Sequence, residues 1–326
     1  MARTLIVLPD DSSKPIFDAI TGASKSIRVK MFVFSDPALL RATIAAKQRG
    51  VKVRVMLNPE RRGGERDNET TRKALQHADV DVKDANPQFD LTHEKSMVVD
   101  DKTAFVKSLN WTTKNLTETR DYAVVTDRKR DVAEIVDGFE ADWHRETFTP
   151  RKHSHLIWCP GLGRDRICNF IDEAKHKLFV QNERYQDTVI IERLVRAARR
   201  GVDVHIMARP AHSLKRDKLV EGVGGLRILD DLGVKIHKLK HLKLHGKMLL
   251  ADGVAAIVGS INFAAGSLDD RRELAIEVRD DNIVDRLNET AQRDWKHSRP
   301  LDLSDDGLLA DLEDRIEDGA QLLGLN

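Results

Sequence analysis

Apolar and polar positions along the chain follow two alternating periods. Ile27–Phe34 is a run rich in β-branched and aromatic residues, and it is expected to be a strand. Asp36 then offers a helix N-cap, with Pro37 at the first helical position. Leu39, Leu40, Ile44 and Ala45 supply one helical face, and Gly50 stands where that helix would end. Val51, Val53 and Val55 alternate as in a half-buried strand. The same succession returns later. A strand is expected around Leu178–Val180, a helix from about Asp187 to Arg200, and a strand over Val202–Met207. Strands alternating with helices in this way predict an α/β sheet layered with helices.

Two hairpins are expected as well. Met97-Val98-Val99 runs into Asp100-Asp101 and returns over Thr103–Val106. Met248-Leu249-Leu250 runs into Asp252-Gly253 and returns over Val254–Val258. The last segment, Ser304–Asn326, places Leu308, Leu312, Ile316 and Leu323 near one face of a helix, with acids opposite. An acidic polar face suits packing on the protein body or a partner better than a membrane surface.

These parallels are one internal duplication. Leu5-Ile6 and Pro9 match Leu156-Ile157 and Pro160 at an offset of 151, as Arg49-Gly50-Val51 match Arg200-Gly201-Val202. Arg120, Ala123 and Trp143 match Arg272, Ala275 and Trp295 at 152. The two tryptophans read as core packing. A period of this size is a domain-sized duplication, not a solenoid. The expected organisation is an N-terminal half, 1–150, a C-terminal half, 151–300, and the helical tail, 301–326.

The chemistry-bearing residues share the duplication. His93, Lys95, Asp100, Ser108 and Asn110 recur as His245, Lys247, Asp252, Ser260 and Asn262, each at an offset of 152. Side chains two apart on an extended chain share a face, so each half presents an imidazole beside an ammonium. Asp121 follows His93, and Glu273 follows His245, by the same 28 residues, and each acid follows an arginine. They are the expected acceptors that orient the histidines, with ion pairing to the neighbouring arginines as the alternative. Asp100 and Asp252 read as hairpin-stabilising. Such a doubled set suits phosphodiester transfer, which needs a nucleophile, a proton for the leaving oxygen and cations around the phosphoryl oxygens.

The pattern His-x-Lys-x4-Asp, followed by Ser-x-Asn and occurring twice, resembles the phospholipase D superfamily. The resemblance spans roughly Leu5 to Ser298. It implies a tandem duplicated fold of two αβα-layered halves related by pseudo-two-fold symmetry, a single shared site and a phosphohistidine intermediate. Under that reading His93 is the nucleophile and His245 the acid. Lys95, Lys247, Ser108, Ser260, Asn110 and Asn262 hold the phosphate. The cations are covalently attached, so neither a metal nor another cofactor is called for. One departure stands out: Gly259 precedes Ser260, but Lys107 precedes Ser108. Either Lys107 points away from the site or it adds a cation to one side.

Composition narrows the partners. The 54 basic residues nearly balance the 53 acidic ones, so any anion-binding patch is local. Lys235–Lys243 is such a stretch and leads into His245, although a solvated basic edge strand reads equally well. His237, His241 and His245 recur every four residues as a metal face on a helix would, but the surrounding signals are those of strands. The charged Glu60–Glu69 segment either rims the site or is plain surface. The N-terminal apolar run is too short for a signal peptide, and no stretch approaches the roughly 20 apolar residues of a membrane span. The expectation is a cytoplasmic monomer with a pseudo-dimeric site, any membrane contact being peripheral. A phospholipid is the favoured substrate. A DNA or RNA backbone is the alternative, weakened by the scarcity of aromatic platforms. A non-catalytic phosphate-binding scaffold is the third reading.

Overall fold

The computed structural model describes residues 3–61, 63–210 and 219–306. The expected tail helix therefore lies outside the described residues beyond Asp306. The first half contains β1 (Arg3–Leu8), α1 (Lys14–Thr21), β2 (Ser26–Met31), α2 (Pro37–Gln48), β3 (Lys52–Leu57), α3 (Glu69–His77), β4 (Asp81–Asp84), β5 (Ser96–Val99), β6 (Thr103–Lys107), α4 (Thr113–Thr117), β7 (Thr119–Thr126) and α5 (Lys129–His144). The second contains β8 (Leu156–Cys159), α6 (Gly163–Glu173), β9 (Lys177–Gln181), α7 (Thr188–Arg199), β10 (Asp203–Met207), α8 (Leu219–Asp230) and β11 (Lys235–Leu239). It continues with β12 (Lys243–Leu244), β13 (Lys247–Ala251), β14 (Ala255–Gly259), a π-helical turn at Gly266–Asp270, β15 (Glu273–Val278), α9 (Asp281–Lys296) and β16 (Ser298–Pro300).

The first sheet runs β1-β7-β6-β5-β2-β3-β4. The second runs β8-β15-β14-β13-β9-β10-β11, the same order of equivalent strands, with β16 added beyond β11. In both, β2–β3–β4 and β9–β10–β11 are parallel and the hairpin strands antiparallel. The fold is thus two mixed α/β halves of like topology. Lys235–Leu239 is not an edge strand, because β16 covers its outer side. Phe34 falls outside β2 and makes an isolated bridge to Trp111.

The strands read as continuous apolar runs because both faces of each sheet are buried. Met97 and Val99 join the core under α1 and α2, while Val98 between them joins a core shared by both halves. In the second half Leu249 faces the equivalent helix-covered core, and Met248 and Leu250 face the shared one. Val7, Tyr122, Trp158, Phe179 and Ile276 lie in that shared core with residues of α5 and α9. Trp143 stacks on Phe139, and the Trp295 ring stacks with both His205 and His237.

Local chemistry sets the element ends. The Asp36 carboxylate accepts from the Ala38 and Leu39 amides, and Asp187 accepts from Ile190. Both hairpin turns have positive φ at two successive residues, +54° and +53° at Asp100-Asp101 and +54° and +68° at Asp252-Gly253. Paired positive φ angles mark the turns that match the twist of hairpin strands.

Candidate active site

Each half holds the histidine-bearing loop of the other. The Arg272 carbonyl accepts from the amides of His93 and Glu94, both at 2.9 Å. The Arg120 carbonyl accepts from His245 at 3.3 Å and Gly246 at 2.7 Å. Leu244 pairs with Arg120 in register, and Thr92 with Arg272. The residue after each arginine then reaches the histidine itself. His93 Nδ1 lies 2.9 Å from Glu273 Oε2, and His245 Nδ1 lies 2.8 Å from Asp121 Oδ1. The orienting pairs therefore cross between halves. The arginines do not pair with these acids. Arg120 binds Asp294 twice at 2.8 Å, and Arg272 binds Asp142 at 3.0 and 2.7 Å, again across halves.

The tautomer of His93 follows from geometry. Its Nδ1 is also 3.2 Å from the Ser260 carbonyl, which can only accept, so Nδ1 is the donor and Nε2 carries the lone pair. Burial, with Lys95 and Lys247 nearby, holds the ring well below the usual imidazole range. Burial also lifts Glu273 to about 7, although Lys95 pulls it down. Asp121 differs. Burial opposes its charge, but His245 and Lys247 outweigh it and keep its carboxyl below the ordinary value. It also accepts from Ser108, Thr119 and Asn115 at 2.6, 2.5 and 3.2 Å.

Both histidines line one cavity of about 580 Å³. Asn110 and Asn262 line it too, and the amide oxygen of each is buried without a hydrogen-bond partner among the described residues. Lys95 and Lys247 are buried beside the histidines without themselves lining the cavity, each donating to the carbonyl of its own histidine. Burial pushes the Lys95 ammonium down to about 7. The serines are placed differently from the phosphate-binding expectation. Ser108 and Ser260 are fully buried and do not line the cavity. Ser108 Oγ donates to Asp121 and accepts from the Tyr122 amide, and Ser260 Oγ bonds the backbone of Leu274. Their hydroxyls brace the strands that carry the orienting acids.

Lys107 turns onto the Trp111 ring, 4.7 Å from its centroid, and not into the cavity. Its ammonium has no hydrogen-bond partner among the described residues, and burial pushes it down to about 7. At the equivalent Gly259 a Cβ would meet Ala275 at 2.4 Å, so the second half excludes any side chain there. Asp100 accepts from the amides of Ser24, Lys25 and Ser26, and Asp252 from Lys175, His176 and Lys177. Both aspartates tie hairpin to neighbouring strand, away from the cavity. His237 bonds Ser298 and stacks on Trp295. Arg61, Gly63, Glu65 and Asp67 of the charged Glu60–Glu69 segment rim the cavity, and Lys243 alone represents the basic stretch.

Comparison with known proteins now decides the family. A family model described as "Cardiolipin synthase, PLD-like domain" matches residues 16–143 and again 167–295. The chain belongs to this phospholipase D-like family. It is 31% identical over 152 residues to the mitochondrial cardiolipin hydrolase of Homo sapiens, a match covering 45% of this chain and 58% of that protein. The chain thus spans less than two thirds of that relative's length. It is 25% identical over 322 residues to cardiolipin synthase B of Salmonella typhi, covering 85% of this chain and 76% of the relative. Phosphatidylserine synthase of Haemophilus influenzae Rd KW20 shares the fold, with a TM-score of 0.73 at 11% identity over 92% of this chain and 87% of that one. No helix among the described residues of this phospholipase D-like protein is long and apolar enough to cross a membrane.

Some functional residues carry no mark in the sequence. Glu183 accepts from Lys247 at 2.5 Å and from Arg209 at 2.6 Å inside the cavity wall. The equivalent position in the first phospholipase D-like repeat is Phe32, so the duplication hides it. Asp142 and Asp294 were findable, since they keep the 152-residue offset just before Trp143 and Trp295.

Proposed function

We propose that this protein is a phosphodiesterase and phosphatidyltransferase that exchanges the head-group alcohol of a phospholipid through a covalent phosphohistidine, with no metal in the reaction. One observation carries the reading: two histidines, each fixed at Nδ1 by a carboxylate of the opposite half, line one cavity. His93 is the nucleophile, since its protonated Nδ1 leaves Nε2 with a lone pair and its surroundings keep the ring neutral. Its Nε2 attacks phosphorus, the bond from phosphorus to the head-group oxygen breaks, and His245 gives its Nε2 proton to that oxygen. An incoming alcohol or water then gives its proton to His245 while its oxygen attacks phosphorus and the P–N bond breaks. Carboxylates flank the His245 ring at Nδ1 and, 3.8 Å away, at Nε2. Lys95, Lys247 and the amides of Asn110 and Asn262 hold the non-bridging oxygens. Asp121, Glu273, Ser108 and Ser260 act as positioning residues.

The lipid substrate is supported by the family and by the relatives named for cardiolipin. The test is a panel in EDTA. It contains phosphatidylcholine and phosphatidylglycerol with a primary alcohol, and labelled single- and double-stranded DNA and RNA. The expected product is a phosphatidyl-alcohol, reduced on the order of 10³-fold or more in His93→Ala. Nucleic-acid cutting without lipid turnover would overturn the lipid assignment. Loss of activity in EDTA would overturn the metal-free step, full activity in His93→Ala would overturn His93 as the nucleophile, and no turnover of any diester would return the protein to the scaffold reading.

A further inference from the structure

The two half-sites are not equivalent at the cavity wall. Phe32 and Glu183 occupy the same place in the duplication, 151 residues apart. Phe32 meets the His93 ring edge-on, with centroids 4.7 Å apart, and Lys95 Nζ lies 5.2 Å from its ring centre. Glu183 instead holds Lys247 and Arg209, and its Oε2 lies 3.8 Å from His245 Nε2. The wall beside His93 is thus an apolar ring, and the wall beside His245 is a carboxylate between two cations.

A carboxylate in a phosphate site works against the substrate's own charge unless it meets another part of the substrate. Burial opposes the charge of Glu183, but Lys247, His245 and Arg209 hold its carboxyl well below the usual range. It is therefore an acceptor with no proton to give. A carboxylate offers about four lone-pair sites. Lys247 and Arg209 take one each, so capacity remains for hydroxyl donors from the cavity. Its place beside His245 Nε2 decides which donors these are. That nitrogen exchanges its proton with the oxygen of the leaving or entering alcohol, so the groups nearest Glu183 are those next to that oxygen.

We infer that Glu183 forms the alcohol subsite and selects polyols, whose second hydroxyl it accepts while the first reacts at His245. The inference rests on the reaction proposed above. The phosphatidyl group stays on His93 against the Phe32 wall, and the hydroxyl-bearing head group enters and leaves on the Glu183 wall. Charge-assisted acceptance of a hydroxyl favours a glycerol-type alcohol over one with a single hydroxyl.

The experiment compares the wild type, Glu183→Gln and Glu183→Asp on phosphatidylcholine vesicles with equimolar glycerol and ethanol. Bis(p-nitrophenyl) phosphate, a diester without hydroxyls, reports separately on the histidine centre. The wild type should form phosphatidylglycerol in preference to phosphatidylethanol. Glu183→Gln should lower that product ratio by about tenfold, and Glu183→Asp, which keeps the charge, should retain the preference. The ratio is internal to each sample, so partial loss of folded protein does not mimic the effect. A wild-type ratio in Glu183→Gln, or no preference for glycerol in the wild type, overturns the inference and leaves the reaction standing if the aryl diester is cleaved in a His93-dependent way. Absence of His93-dependent cleavage of both diesters removes the reaction, and this inference with it.

Discussion

Burial drives the Lys95 ammonium from 10.5 down to about 7, with Glu273 pulling it up and Lys247 pushing it further down. A lysine in that condition is a conditional cation. It loses its proton as pH rises through about 7 while the site is empty. A phosphodiester anion beside it restores the charge, because an opposite charge within a few ångströms favours the ionised form. The two kinetic parameters should then separate. kcat/KM, which reports the free enzyme, should fall above about pH 7. kcat, which reports the occupied site, should persist to higher pH. Parallel pH profiles of both parameters on one diester check this, and a common alkaline limb would show that Lys95 does not hold the phosphate. The lysine itself was legible from its repeated spacing. Its depressed basicity was not, because that comes first from burial, with Lys247 adding to it and Glu273 opposing it, and all three exist only in the fold. Glu183 was less legible still, since one acid in a chain that is 33% charged forms no pattern.

At the scale of elements, the hairpins explain why the motif contains an aspartate remote from the cavity. Asp100 sits at positive φ and accepts from three consecutive amides at the start of β2. Burial raises its pKa, but those amides and the Ser24 hydroxyl together outweigh it and bring the carboxyl to about 2. Asp100→Ala should destabilise the protein by about 1.5–3 kcal/mol, the range for hydrogen bonds to a charged group, with kcat little changed. Because the folded-state pKa is depressed from 3.8, that contribution is present above about pH 4 and is lost as pH falls toward 2. Urea titrations of both proteins at pH 7 and at pH 3, beside activity at pH 7, test it. A large drop in kcat at unchanged stability would make the aspartate chemical. The strands, helices and both turns were readable locally, because caps, alternation and Asp-Asp or Asp-Gly turns act within a few residues. The exchange between halves was not. Asp121 and Glu273 could be matched to histidines in general, but nothing local says that each serves the histidine of the other half. The serines misled for a different reason: Ser108 meets Asp121 within its own half, through the pairing of β6 with β7, which spacing along the chain does not display.

The whole molecule inherits this crossing. Arg120 to Asp294 and Arg272 to Asp142 are buried ion pairs that join the halves beneath the site. β12 of the second half pairs with β7 of the first, and one apolar core takes Val7 and Tyr122 from one half with Trp158 and Ile276 from the other. Separating the halves would uncover that core and strand buried charges without partners, the costly kind of loss. Neither half therefore has a stable surface of its own on this side, and the two should unfold together. Trp111 lies in the core of the first half and Trp295 beside the second sheet, so each can report on its own half. In variants that keep only Trp111 or only Trp295, fluorescence in guanidinium should give one transition with the same midpoint and slope, coincident with loss of helical circular dichroism. Two separated midpoints would mean that the halves are autonomous. Catalysis should disappear in the same transition, because neither histidine keeps its orienting carboxylate once the halves part.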